Sequence, residues 1–389
     1  MNITRFLFGI TVMALLQLGC SAKHSLNVGF TNLGADTTSV STPFYAGLNG
    51  YASFRIPSVV TTKNTVMAFA EGRKNSSSDY GDIDVVCRRS FDGGKSWEAL
   101  QIIHSNGDLV AQNPVPIYDA QNDKVVLLFN TAVLSEHAIL HTDYKAKDGR
   151  RAFVTSTADE GLHWEIPREI TQSVKRPYWR WFALGPVHGI QLKKEMHKGR
   201  LVVPVAISIE KGGTAYCMAL LYSDDFGKNW QEGAVDENLN DIVRANETTI
   251  VELNDGRIYV NTRDHTGGSA LKNRGETYSL DGGSSFSETI VESDKFPSPI
   301  VQSALLRWNS NTDNGGSAIL FSTPSNPNKR ENLIVMASFD EAMTWEKVFQ
   351  VHQGFSAYSD MVKVDATTLG VLYETDNYNK ILFRRIRIK

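Results

Sequence analysis

The chain has 389 residues, with 40 Lys+Arg against 43 Asp+Glu and a formal net charge of −3, so it holds no basic excess to neutralise phosphates, and nucleic acid is excluded as its main partner. Hydrophobic residues at 41% and charged residues at 21% exclude a disordered chain and fit one large domain or two or three ordinary ones. Three cysteines exclude a disulfide-built scaffold.

At the N-terminus Arg5 precedes 6–18, a mostly apolar run that is too short to span a bilayer and suits the central region of a secretory signal. The run ends in Leu16-Gln17-Leu18-Gly19-Cys20, which resembles a bacterial lipobox with Cys20 as the lipidated first residue; Gln17 stands where that pattern usually has Leu. Plain secretion with cleavage after Ala22 is the alternative. The reading is a signal peptide at 1–19, a linker at 20–43 and one body at 44–389. That body is expected to work outside the cytoplasm, in the periplasm or at the outer membrane, touching a membrane only through a lipid at Cys20. Cys87 and Cys217 lie in apolar strand-like runs far apart in sequence and are expected as free buried thiols, with a disulfide as the alternative.

Short β-rich runs then recur at 65–71, 83–88, 124–129, 200–209, 215–222, 248–260, 318–321 and 333–337, and few long segments hold a helical period. Asn254-Asp255-Gly256 is a strong hairpin signal, because these residues accept positive φ cheaply. An octamer S-x-D-x-G-x-x-W, carried by Ser90, Asp92, Gly94 and Trp97, recurs at 157–164, 223–230, 279–286 and 338–345, with Thr157 at the first position, Phe286 for Trp and Ala342 for Gly. Its aspartates are Asp92, Asp159, Asp225, Asp281 and Asp340. The chemistry is structural: Asp accepts backbone N–H bonds in a turn, Gly supplies a permissive dihedral, and the aromatic packs between strands. A calcium loop is disfavoured because each turn offers too few oxygen ligands. The period implies one four-stranded antiparallel sheet per copy, stacked as propeller blades. Five copies in about 340 residues predict an all-β, six-bladed propeller of roughly 57 residues per blade, one blade lacking the motif.

The octamer resembles the Asp box of bacterial and animal sialidases. Asp boxes also occur in propellers without hydrolytic activity, so they speak for fold alone. Other segments extend the resemblance, over 44–389, to bacterial exo-α-sialidases of the glycoside hydrolase family 33 type. Phe54-Arg55-Ile56-Pro57 matches the family's first arginine motif; Arg263 and Arg330, by their place in the chain, match the other two arginines that clamp the sialic acid carboxylate. Guanidinium groups suit that task, being permanently charged fork donors.

The same resemblance implies the remaining roles. Asp79, in the polar loop after Gly72-Arg73, stands where the family has its acid/base; Asp82 and Asp84 compete, Asp84 ranking lower because it alternates into the next strand. A general acid at neutral pH needs an elevated pKa, which ligand binding and exclusion of water can supply. Arg73 and Asn113 match positions facing the sugar's 4-hydroxyl. Trp179, Trp181 and Phe182 precede Gly185-Pro186-Val187-His188-Gly189-Ile190-Gln191, similar to a family stretch with Gly at the position of Val187; Trp181 is placed among the substrate-binding residues, with the alternative that these aromatics only wall the cleft. His188 is expected to be a buried structural residue. Phe355-Ser356-Ala357-Tyr358-Ser359-Asp360 resembles the nucleophile segment and assigns Tyr358, with Tyr373 as the alternative, expected to pack in the core. Glu247 fits the base that activates it.

A neutral phenol avoids the repulsion a carboxylate nucleophile would meet beside the substrate carboxylate, which is why this family departs from the usual glycosidase pair. The resemblance implies a retaining exo-α-sialidase that acts on sialylated glycans, glycoproteins or glycolipids through a covalent sialyl-tyrosine. The rival readings are a lectin-like propeller that binds sialosides without cleaving them, a propeller with Asp boxes only, and a trans-sialidase or intramolecular trans-sialidase. No cofactor and no catalytic metal are expected, since no His/Cys/carboxylate spacing suits zinc.

Overall fold

The computed structural model describes residues 39–213, 215–240, 242–267, 272–309 and 317–388. The expected signal peptide, Cys20 and most of the expected linker lie outside these residues. Among the described residues the strands form five sheets, almost wholly antiparallel, arranged as a β-propeller. In chain order the first is an eight-stranded sheet running through Ser53–Thr61, Val66–Arg73, Ile83–Ser90, Val110–Asp119, Lys124–Ala132, Arg151–Thr157 and Arg168–Glu169, with Gln101–His104 paired to its third strand. Next, Phe182–Leu184 and Ile190–Gln191 share Leu201–Ser208, followed by Tyr216–Ser223 and Gln231–Asp236. Two four-stranded sheets follow, beginning at Ala245–Glu252 and Ala304–Asn309. The last joins Ser356–Lys363, Thr368–Thr375 and Lys380–Arg387 to Val40–Tyr45, so the first described strand pairs with the last and closes the ring.

This differs from the expected six separate four-stranded sheets. Four sheets have the size of single blades, with four or five strands, and the remaining one has eight. The difference arises because Ile83 pairs in parallel with Val110 and joins two stretches of sheet. The end of the expected linker, from Val40 to Pro43, belongs to a strand.

The sheets pack face to face around an axis, and the strand nearest the axis in each touches its counterparts in the neighbouring sheets. Strands clamped on both faces must be apolar on both. Leu201–Ser208 is accordingly buried at every residue. Asn254-Asp255-Gly256 forms the expected turn, between Ala245–Glu252 and Ile258–Asp264.

Each octamer forms the turn between two paired strands, leading from Ile83–Ser90, Arg151–Thr157, Tyr216–Ser223, Arg274–Ser279 and Lys329–Ser338 into the strand that follows each. At the first, Asp92 Oδ1 accepts from the Ser90 hydroxyl at 2.7 Å and from the Lys95 and Ser96 N–H groups at 2.9 Å. The bonds from the hydroxyl two residues before and the N–H four residues after recur at Asp159, Asp225, Asp281 and Asp340. The aromatics face the preceding sheet face or its core: Trp97 meets Phe383 edge-on at 5.4 Å, Trp164 meets Phe69 at 6.0 Å, and Trp345 packs beside Tyr259, Phe296 and Phe321. Cys87 and Cys217 are both buried, and among the described residues neither is in a disulfide.

Candidate active site

Four of the residues singled out above lie near the starts of the strands nearest the axis, while Arg73, Arg263 and Arg330 come from strands further out and Asp79 and Trp181 from loops. Arg55 is at the start of Ser53–Thr61, Asn113 is in Val110–Asp119, Glu247 is in Ala245–Glu252 and Tyr358 is in Ser356–Lys363. All four strands break register there, between Arg55 and Ser58, Gln112 and Val115, Ala245 and Thr248, and Ser356 and Ser359. A bulge of this kind re-aims side chains out of the regular in-out alternation. Ile56 and Asn113 accordingly take positive φ, 57° and 56°.

These side chains converge on one cleft of about 710 Å³, lined among others by Arg55, Arg73, Asp79, Asn113, Trp181, Glu247, Arg263, Arg330 and Tyr358. All nine are among the residues singled out from the sequence. On its floor lies the Tyr358 ring, with the guanidinium carbons of Arg55 and Arg330 at 5.3 and 5.6 Å from its centroid. Its hydroxyl donates a short hydrogen bond to Glu247 Oε1, and Arg263 Nη1 lies 2.7 Å from Glu247 Oε2 and 3.3 Å from the Tyr358 hydroxyl. Burial and the Glu247 carboxylate push the phenol well above its ordinary pKa, against the pull of Arg263, Arg330 and Arg55. The phenol is therefore neutral, and its natural proton acceptor is already in contact with it.

Asp79 stands at the rim, 2.7 Å from Arg73 and 3.9 Å from Arg55. The surrounding protein by itself raises its carboxyl; Arg73, Arg55 and Arg150 outweigh that and hold it below the ordinary value. Its side chain is 74% exposed, which leaves the guanidiniums the deciding influence. The sequence-based requirement for an elevated pKa is thus not met by the open cleft. The competitors sit elsewhere: Asp84 is fully buried and accepts from the Tyr51 hydroxyl at 2.6 Å, while Asp82 pairs with Lys74 at 2.9 Å. Tyr373 is buried in the core of the last sheet.

Of the three aromatics, Trp179 and Phe182 are core residues and only Trp181 faces the cleft. His188 is half-buried rather than buried, does not line the cleft, and is held by Asp360, Nδ1 to Oδ1 at 2.7 Å.

Sequence reasoning missed two residues that hold the site together. Glu374 is fully buried and accepts from Arg55 Nε at 2.7 Å, from the Ile56 N–H at 2.9 Å and from the Tyr358 N–H at 3.2 Å. One carboxylate thus fixes the first arginine and the strand of the phenol. Arg150 is almost wholly buried, donates to Asn113 Oδ1 at 2.6 Å and to Gln112 Oε1 at 2.9 Å, and lies 4.3 Å from the Trp181 ring centroid. Burial lowers its pKa to about 10, which leaves it charged at neutral pH. Glu374 closed an apolar strand run and Arg150 lay in no motif, so neither offered a local signal.

The arrangement can grip a carboxylate with three guanidiniums, deliver a proton from the rim and attack from below with a phenol. Comparison with known proteins gives the same direction. The BNR repeat-like domain model matches residues 64–371. A sialidase of Bacteroides fragilis is 28% identical, with 89% of this chain and 64% of that protein covered. A sialidase of Micromonospora viridifaciens is 30% identical, covering 84% of this chain and 50% of that protein. The chain therefore spans less than two thirds of the length of these two curated relatives. Among solved structures, a Hadza microbial sialidase superposes with a TM-score of 0.78 at 23% identity, covering 90% of this chain and 68% of that one, a likeness of fold.

Proposed function

This chain belongs to the BNR repeat-like domain family, and on that footing we propose that it is an exo-α-sialidase that hydrolyses terminal sialic acid from sialylated glycans with retention of configuration. The observation that carries the reading is the contact of the Tyr358 hydroxyl with both Glu247 and Arg263 beneath a cleft that holds Arg55 and Arg330.

In the proposed cycle Arg55, Arg263 and Arg330 bind the substrate carboxylate. Asp79 protonates the glycosidic oxygen as the bond to the anomeric carbon breaks. Tyr358 attacks that carbon, its proton passing to Glu247, and a sialyl-tyrosine forms. Asp79, now a carboxylate, takes a proton from water as the water attacks the same carbon. The phenolate leaves and recovers its proton from Glu247. The transition state gathers positive charge on a carbon beside a fixed carboxylate, so placement and charge complementarity dominate the rate. The low pKa of Asp79 in the open cleft is reconciled with its role as acid by the ligand: a bound carboxylate offsets the nearby guanidiniums, and the sugar displaces water.

A lectin-like propeller needs the arginines but neither the Tyr358–Glu247 pair nor Asp79. A fluorogenic sialoside separates the two readings. The protein should release the fluorophore, and Tyr358→Phe should lower turnover by at least about a thousandfold while the fold survives. Tight binding without release by the unaltered protein, or near-normal turnover in the variant, would refute the proposal.

The eight-stranded sheet reads as two blades, since one parallel residue pair, Ile83 with Val110, joins halves that are otherwise antiparallel, which gives six blades in all. The 6–18 apolar run and Leu16–Cys20 support export of the protein and anchoring through a lipid on Cys20.

A further inference from the structure

Between the strands Thr368–Thr375 and Lys380–Arg387 the chain makes a turn in which Asp376, Asn377 and Tyr378 all have positive φ, 52°, 49° and 68°. Three successive non-glycine residues in the left-handed region are costly, and such strain persists only where the surroundings impose it. The surroundings here fix Tyr378. Its ring packs edge-on against Phe355 with centroids 4.9 Å apart at 85°, and its backbone carbonyl accepts from the Ser53 hydroxyl at 3.3 Å.

What the turn presents is one side chain shared by two arginines. The Arg55 guanidinium carbon lies 4.0 Å from the Tyr378 ring centroid, and Arg330 Nη1 donates to the Tyr378 hydroxyl at 3.1 Å. Tyr378 is not among the residues that line the cleft. Arg330 also donates to the Ile300 carbonyl at 3.2 Å and lies 5.6 Å from the Tyr358 ring centroid. Arg55 has Glu374 at its Nε edge, 2.7 Å away, but the face of its guanidinium rests on Tyr378.

We propose that Tyr378 is a positioning residue for the carboxylate clamp, setting Arg55 through its ring face and Arg330 through its hydroxyl so that both forks point at one ligand. The inference rests on the proposed sialidase reading and deepens it. The ring gives Arg55 a cation–π support that restricts its tilt without competing for its donors. The hydroxyl occupies one donor of Arg330 and so orients the remaining ones. Because Tyr378 touches neither the anomeric carbon nor the leaving group, its contribution should be the same in the bound ground state and in the transition state.

Two variants of the full chain, Tyr378→Phe and Tyr378→Leu, test this with a fluorogenic sialoside and with free sialic acid as a competitive inhibitor. Tyr378→Phe keeps the ring under Arg55 and frees Arg330; KM and the inhibition constant should each rise about tenfold, with kcat held within about twofold. Tyr378→Leu removes both supports, and the same constants should rise further, to about a hundredfold. An unchanged KM in both variants, a fall in kcat with KM intact, or a lower melting temperature with unaltered kinetics would overturn the inference while leaving the sialidase reading in place. A wild-type protein that neither cleaves the sialoside nor binds sialic acid would instead sink the reading of the cleft, and this inference with it.

Discussion

Asp79 has to hold a proton when the glycosidic bond breaks and lose it before water attacks. In the open cleft Arg73, Arg55 and Arg150 outweigh the effect of its surroundings and keep it ionised. The sign of the pH dependence follows. The profile of kcat/KM reports the free protein, whose protonated Asp79 fraction shrinks as pH rises above a value that is already low. For an alkyl sialoside, kcat/KM should therefore fall from an acidic optimum towards neutral pH. Arg73→Gln removes one of the cations that lower Asp79; its pKa rises, and the falling limb should move about one unit to higher pH. A limb that stays in place or moves to lower pH contradicts this account of Asp79. The family resemblance gave Asp79 its candidacy, but its charge state depends on Arg73, which Glu71 and Ser77 hold locally, and on Arg150, whose partners Gln112, Asn113 and Phe182 belong to other strands.

The octamer turns and the strand bulges show the opposite limits of what local sequence can encode. In the turns, donors and acceptor lie within five residues, so Asp92 and its four counterparts were legible without a fold. Position matters even within the repeat. At the fifth copy Ala342 adopts φ 70° in place of glycine, and its N–H still reaches the Ser338 hydroxyl at 2.9 Å. At the first copy Gly94 has φ 86°, and a Cβ there falls 2.1 Å from the Phe383 ring. Gly94→Ala should cost about 3 kcal/mol, the left-handed penalty plus the displacement of a packed ring, read as a lower midpoint in urea unfolding. A loss below about 0.5 kcal/mol contradicts the packing described for that turn. The bulges left no such mark. Whether a strand shifts register at Gln112 or Ser356 depends on the strand beside it, and no spacing of residue types announces that.

The whole ring brings the site together. Arg55 and Asn113 come from one sheet, Trp181 from the segment leading into the next, Glu247 and Arg263 from a third, Arg330 from a fourth, and Tyr358 with Glu374 from the sheet that also holds the first described strand. A chain of net charge −3 thereby concentrates cations at one mouth, which favours an anionic sugar over a neutral one. The nine cleft residues were named from the sequence because the chain resembles a known family; their convergence was not derivable from spacing, since contacts such as Arg55 to Glu374 join segments more than 300 residues apart. The pairing of Ile83 with Val110 joins nearer segments, but no residue type or spacing marks it either.

The central claim is that Tyr358 forms a bond to the substrate, and trapping that bond tests it most directly. A sialic acid analogue fluorinated at the anomeric carbon and its neighbour forms the adduct but slows its breakdown, because the electron-withdrawing substituent destabilises the positive charge that release requires. After incubation and digestion, peptide mass spectrometry should find one sialyl adduct, on Tyr358, and none in Tyr358→Phe. An adduct on Asp79 or Glu247, or turnover of ordinary sialosides with no adduct at all, would contradict the account.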